Sequence, residues 1–200
     1  MADHYFSEHP SSKATARPVT FTAYGRRYEL VSSAGVFSGD RLDLGTTVLL
    51  REAPLPAGGT VLDLGCGYGP IACVLATMVP DVHVWAVDVN TRALELTRAN
   101  AERLGVGSRI TVATPDDVPD DIRFDQVWSN PPIRIGKPAL HALLQRWLSR
   151  LTDDGVAWLV VSKNLGADSL QRWLNAQGWR CDRQGSAKGF RVLTVRRPAS

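Results

Sequence analysis

Polar and apolar positions alternate near the start of the chain. In PVTFTAYGRRYELVSSAG, Val19, Phe21 and Ala23 fall on one side of an extended backbone, Gly25 interrupts, and Tyr28 and Leu30 resume the pattern. A period of two broken by a glycine predicts a β-hairpin over residues 18–34. The run LGTTVLLRE predicts a short helix over residues 44–52, followed by a Pro- and Gly-containing loop.

From Thr60 onward the period itself alternates. TVLDLG reads as a strand, and residues 70–79 as a helix with Pro70 in its first turn, where a missing N–H costs little. VHVWAVDV is nearly continuous in apolar residues, as expected of a strand buried on both faces. Asn90 or Thr91 caps a helix running to Leu104 and stopped by Gly105. Residues 110–113 and the run FDQVWSN give two more strands. Leu140, Leu143, Leu144, Trp147, Leu148 and Leu151 share one face at helical spacing, and TDDG then turns the chain into the strand VAWLVVS. A helix over 167–175 and two strand-like runs around a Gly/Ser/Lys turn complete the chain. Strand–helix alternation of this kind predicts a doubly wound, Rossmann-like α/β sheet. The organisation expected is a flexible tail (1–17), then one domain (18–200) with its core over 60–200.

Composition narrows the class. With 44% hydrophobic residues and six tryptophans to fill a core, a chain of 200 residues is globular rather than disordered or fibrous. No apolar run approaches the ~18 residues that cross a bilayer, and MADHYFSEHPSSK lacks the layout of a signal peptide. Cys66, Cys73 and Cys181 have neither zinc spacing nor an even count, so they read as reduced thiols in a cytoplasmic protein without a metal. Charge is distributed unevenly within a net +3: beyond residue 133 twelve basic side chains face four acidic ones, and before it eleven basic face sixteen acidic. That split suggests a polyanionic partner on the C-terminal side, against the plainer reading of a solvated face.

Two motifs carry candidate chemistry. VLDLGCGYGP places Asp63, Gly65, Cys66, Gly67 and Gly69 at the carboxyl end of the first core strand, where open α/β sheets bind ligands. Glycines there admit positive φ and close approach of a ligand to the backbone. The dinucleotide fingerprint needs a third glycine three residues after the second; counted from Gly67 that position is Pro70. The observed DxGxGxG suits a cofactor with no pyrophosphate to seat. Asp88 ends the second strand, where a carboxylate accepts both ribose hydroxyls of a nucleoside, a feature shared with NAD enzymes.

The second motif is SNPPIRIGK, which ends the fourth core strand at Asn130. In a sheet that reverses direction at its first strand, the fourth lies beside the first, so Asn130 faces the glycine turn. Pro131 and Pro132 fix φ and lack N–H donors, leaving carbonyls free to point outward. An amide oxygen beside a backbone carbonyl suits an exocyclic NH2 group, holding its hydrogens and orienting its nitrogen, work done mainly by proximity.

With these motifs the chain resembles the class I S-adenosylmethionine-dependent methyltransferases, DLGCGYG matching their first motif and SNPPI the N/D-P-P-x motif of enzymes that methylate planar nitrogens. More narrowly, GVFSGDRLDLGTTVLL, DLGCGYGP, FDQVWSNPPIRIGK and KGFRVL together are similar to the bacterial small-subunit ribosomal RNA guanine-N2 methyltransferases, in the same order over residues 30–197. The resemblance implies a seven-stranded sheet, mostly parallel with an antiparallel last strand. It implies S-adenosylmethionine as cofactor, with Asp63, Gly65, Gly67 and Gly69 along its methionine part, Asp88 on the ribose, Val89 against the adenine and Asp116, or its neighbour Asp117, at the adenine amino group. Phe37 and Asp43 would close the pocket as part of the segment 35–52, and Asn130 with Pro131 would hold the target amino group. Position 133 is Ile where many members carry an aromatic that stacks on the base.

Arg134 and Lys137 follow the Pro-Pro turn and Lys163 ends the next strand, which places cations beside Ile133 at the pocket mouth for an RNA backbone; Lys188 and Arg191 are weaker candidates. The expected activity is methyl transfer to guanine N2 in ribosomal RNA by a monomer. The other readings are a protein-glutamine methyltransferase, a binding module that keeps only the fold, and a dinucleotide oxidoreductase.

Overall fold

The computed structural model describes residues 16–34, 36 and 41–198, so Phe37 and the proposed tail up to residue 15 lie outside the described residues. An N-terminal hairpin pairs β1 (Ala16–Ala23) with β2 (Arg26–Ser33). Its two-residue turn, Tyr24-Gly25, has φ of 48° and 76°, and two positive values make the turn that matches strand twist. The alternation read from the sequence sorts the faces: Val19, Tyr28 and Leu30 are buried, and Phe21 stacks on Tyr28 at 5.3 Å between ring centroids.

The main sheet has seven strands: β3 (Gly59–Leu64), β4 (Val82–Val87), β5 (Ile110–Ala113), β6 (Phe124–Ser129), β7 (Leu151–Ser162), β8 (Arg180–Ala187) and β9 (Phe190–Arg196). Their order is β5-β4-β3-β6-β7-β9-β8, with β9 antiparallel to both neighbours and the other pairs parallel. Among the described residues five α-helices cover it: α1 (Leu44–Glu52), α2 (Pro70–Met78), α3 (Thr91–Arg103), α4 (Lys137–Leu148) and α5 (Ala167–Ala176). The hairpin, α1, α2 and α3 pack with Val61, Val84, Trp128 and Val160 on one face, and α4 and α5 with Leu62, Val127, Leu159 and Leu193 on the other. Burial on both faces is why the central strands read as unbroken apolar runs. The connections leave the sheet in opposite directions between β3 and β6, so a crevice opens at their carboxyl ends.

One stretch differs from the sequence reading. Leu151 does not extend α4 but opens β7 opposite Phe124, and residues 152–154 bulge before the register resumes at Val156. The corner is pinned by Arg150, almost fully buried, whose guanidinium donates to the carbonyls of Pro119 and Ile122 and lies over the rings of Trp147 and Phe124. The buried cation holds the chain in a turn where apolar spacing alone continues the helix.

Asn100, buried in α3, joins three elements. Its Oδ1 accepts from the N–H of Val31 at 2.8 Å, and its Nδ2 donates to the carbonyls of Val31 at 2.9 Å and Tyr68 at 2.8 Å. The side chain thus acts as a peptide group, pairing with β2 and tying the hairpin to the glycine turn. Asn100→Ala would strand three polar backbone groups, and a loss of about 2–4 kcal/mol of stability is expected. Urea unfolding would measure it, and the hairpin should become the first site of proteolysis.

Candidate active site

The glycine turn between β3 and α2 is held from several sides. The N–H groups of Gly65 and Cys66 donate to the Val87 carbonyl at 2.8 and 3.1 Å, and the Gly67 N–H donates to Asp88 Oδ2 at 2.9 Å. The Thr97 hydroxyl donates to the Gly67 carbonyl at 2.9 Å. Gly65 and Gly67 have φ of 76° and 58°, and a Cβ on either would meet no atom within 4 Å, so both face open crevice. Gly69, before α2 and also at positive φ (84°), has a second reason to be glycine: a Cβ there would stand 2.8 Å from Thr97 Cγ2 of α3. Cys66 is buried, its Sγ 3.6 Å from the Thr97 hydroxyl.

Asp63 and Asp88 lie under this turn. Asp88 Oδ1 accepts from the Asn90 N–H at 2.9 Å, so each of its oxygens is held by a backbone N–H. Burial raises its pKa, while the N–H groups of Asn90, Gly67 and Val89 pull it back. Asp63 is fully buried; its Oδ2 accepts from the Ala72 N–H at 2.9 Å in the first turn of α2, and its Oδ1 has no partner among the described residues.

Asn130 follows β6, whose end is fixed to β3 by the Ser129 hydroxyl donating to the Leu64 carbonyl at 2.8 Å. The Asn130 Nδ2 donates to Asp43 Oδ2 at 2.6 Å and to Thr46 Oγ1 at 3.2 Å. Asp43 also caps α1, accepting from the Thr46 N–H at 3.0 Å. A carboxylate can only accept, so the amide must give it the nitrogen, and the amide oxygen is the group left for a ligand. Pro131 departs from the expected outward acceptor: its carbonyl takes the Ile133 N–H at 2.8 Å across a tight turn at Pro132 (φ −74°, ψ 76°), which leaves one lone pair.

Asn130 lines three adjoining cavities. The largest, about 390 Å³, lies between Asp43, Pro131, Ile133 and Arg134 on the turn side and Val160, Ser162, Leu165 and Phe190 on the sheet side. A small one, about 20 Å³, lies at Gly65–Tyr68, Asp43 and Thr46. The third, about 70 Å³, is a slot of Leu64, Val87, Val89, Pro115, Pro132 and Leu143 beside Asp88. Val89 stands 41% exposed there, an apolar side chain left open to the slot.

The crevice thus brings Gly65, Cys66, Gly67, Asp88, Val89, Asn130, Pro131, Pro132, Ile133 and Arg134 together. Asp116 is not among the residues lining the slot; it is 90% exposed and paired with Arg146 at 3.0 Å, the same guanidinium that holds the carbonyl of the slot-lining Pro115 at 2.7 Å. Lys137 and Lys163 are exposed at the start of α4 and just after β7, without ion pairs to described residues, whereas Arg191 is engaged by Asp168. Thr46 and Phe190 were not singled out from the sequence as site residues, and only the chain's return from distant positions reveals them.

The pattern of the methyltransferase small domain family matches residues 27–194. The chain belongs to that family of S-adenosylmethionine-dependent methyltransferases. Uncharacterized protein YbxB of Bacillus subtilis is 37% identical over 174 residues, covering 84% of this chain and 86% of that protein. Ribosomal RNA small subunit methyltransferase C of Acinetobacter baumannii is 32% identical over 184 residues, covering 87% of this chain and 53% of that protein. The solved 16S rRNA N2 G1207 methyltransferase (RsmC) of T. thermophilus, in complex with AdoMet and guanosine, superposes with a TM-score of 0.78 at 23% identity over 94% of this chain and 52% of its own, a likeness of fold. The chain spans about half the length of these ribosomal RNA methyltransferases.

The crevice of this methyltransferase domain fits the cofactor. The open backbone at Gly65 and Gly67 would admit the methionine part, Asp88 would accept ribose hydroxyls, and the apolar slot at Val89 would face the adenine. Asp63 gives a testable electrostatic consequence. Burial first, opposed by the Ala72 N–H and aided by Asp88, pushes its pKa from 3.8 up to about 7. A raised carboxyl pKa means the folded protein binds more protons than the unfolded one, so this group favours folding below the unfolded value and its ionisation destabilises the fold as pH rises toward 7. Without cofactor, Asp63→Asn is expected to flatten the loss of melting temperature between pH 4 and 7, measured by differential scanning calorimetry.

Proposed function

We propose that this protein transfers a methyl group to an exocyclic amino nitrogen of a nucleic-acid base, guanine N2 in ribosomal RNA. The observation that carries the reading is the Asn130 amide, anchored through its nitrogen by Asp43 and Thr46 so that Oδ1 is free to accept from an N–H. S-adenosylmethionine, when bound, supplies the methyl group. Asn130 Oδ1 and the spare lone pair of the Pro131 carbonyl would hold the amino hydrogens and aim the nitrogen, a contribution of orientation. Asp43, the one carboxylate on the largest cavity among the described residues, is committed to Asn130 and Thr46, so the surplus proton leaves to water after transfer. Arg134 on the cavity and the exposed Lys137 and Lys163 supply cations for an RNA backbone.

Methyl-labelled S-adenosylmethionine, purified protein and a ribosome-containing extract test this. Label is expected in RNA and, after digestion, in a methylguanine nucleoside. Label in protein alone would replace the reading with glutamine methylation, whose amide nitrogen suits the same acceptor.

A further inference from the structure

The geometry points to Phe190 as the face on which the acceptor base stacks. This deepens the proposed function and rests on it. Among the described residues ten line the largest cavity, and Phe190 is the one aromatic of these. The turn side offers none, since position 133 is Ile; the remaining apolar groups, Pro131, Pro132, Val160 and Leu165, present no extended flat surface. Phe190 opens β9 directly opposite Ser162 of β7, so both side chains leave the same face of the sheet, and Val160 and Val192 continue that face toward the core. The Lys163 N–H donates to the Gly189 carbonyl at 2.9 Å, which fixes the backbone just before the ring.

Gly45 ties the ring to the amide. It lies in the first turn of α1 without a positive φ, in a helical setting that disfavours glycine. A Cβ there would stand 2.9 Å from Asp43 Oδ2, 3.1 Å from Phe190 Cε1 and 3.2 Å from Asn130 Nδ2. The missing side chain is therefore the space through which ring, carboxylate and amide converge. A planar base with its amino group on Asn130 Oδ1 is brought beside the Phe190 ring, and the strand-held ring loses little freedom in receiving it.

The test uses guanosine as probe and S-adenosylhomocysteine, which carries no methyl group, to fill the cofactor site. Guanosine binding by calorimetry is expected to weaken about 5- to 100-fold in Phe190→Ala and Phe190→Leu, and to stay within about twofold in Phe190→Tyr, as loss or retention of base–aromatic stacking requires. S-adenosylhomocysteine affinity should stay unchanged in all three, which separates lost stacking from a damaged fold. Phe190→Leu binding guanosine as tightly as the unaltered protein would overturn the inference, and so would an unaltered protein that does not bind guanosine. Guanosine binding that depends on the ring, with no label entering RNA, would support the stacking face while refuting the RNA reading. Label in RNA with Phe190→Leu as active and as tightly bound as the unaltered protein would refute the stacking face alone.

Discussion

Asn130→Ala is expected to lower methyl transfer at least about a hundredfold while S-adenosylmethionine affinity stays within about threefold, because what is lost is orientation of the acceptor rather than a cofactor contact. The asparagine borders all three cavities, yet its hydrogen bonds run to Asp43 and Thr46 and not to the glycine turn or Asp88. Alanine removes the side-chain acceptor and leaves the Pro131 carbonyl, already engaged by the Ile133 N–H. Calorimetric titration of the cofactor and initial rates of label incorporation separate the two quantities. An equal loss of both would make Asn130 a structural residue and remove the observation on which the proposed function stands.

Asp43→Ala should be the next most damaging change, by way of Asn130. Two bonds go at once: the cap on the Thr46 N–H and the anchor on the Asn130 amide. Loss of a cap costs about 1 kcal/mol of stability. The amide nitrogen is then held only by the Thr46 hydroxyl, which can donate as well as accept, so the amide can turn and present its NH2, which cannot accept from a target amino group. A decrease in kcat of about tenfold to a hundredfold is expected at nearly constant cofactor affinity. Asp43→Asn keeps an oxygen for both donors and should recover most of the rate. If kcat in the two variants merely followed their melting temperatures, Asp43 would be a helix cap and no more.

The parts legible in the sequence are those whose cause is local. The hairpin follows from alternation around Tyr24-Gly25, and α3 from an Asn90 cap whose side chain accepts from the N–H groups of Arg92 and Ala93. The glycine turn could be read because positive φ demands glycine at Gly65 and Gly67 wherever the chain goes next. The site's finer parts depend on chain returns. Asp43 and Asn130 are 87 positions apart, and neither motif says that one orients the other. Asn100 looks like an ordinary polar helix residue until β2 arrives beside it. Leu151 shows the opposite failure: helical spacing extends to it by coincidence, and the buried Arg150 ends the pattern. Asp116 satisfied a family expectation by position, whereas Arg146 from α4 draws it outward.

The strand order has a consequence for how the protein is made. β8 does not pair with β7, and β9 lies between them, so β8 waits in the nascent chain for a partner that is synthesised after it. The cofactor half, from β3 to β6, can assemble from parallel units already in hand. The ring at Phe190 arrives with β9, so that wall of the largest cavity is set last. A growing chain would therefore carry the glycine turn and the Asn130 amide before the strand that closes the cavity opposite them.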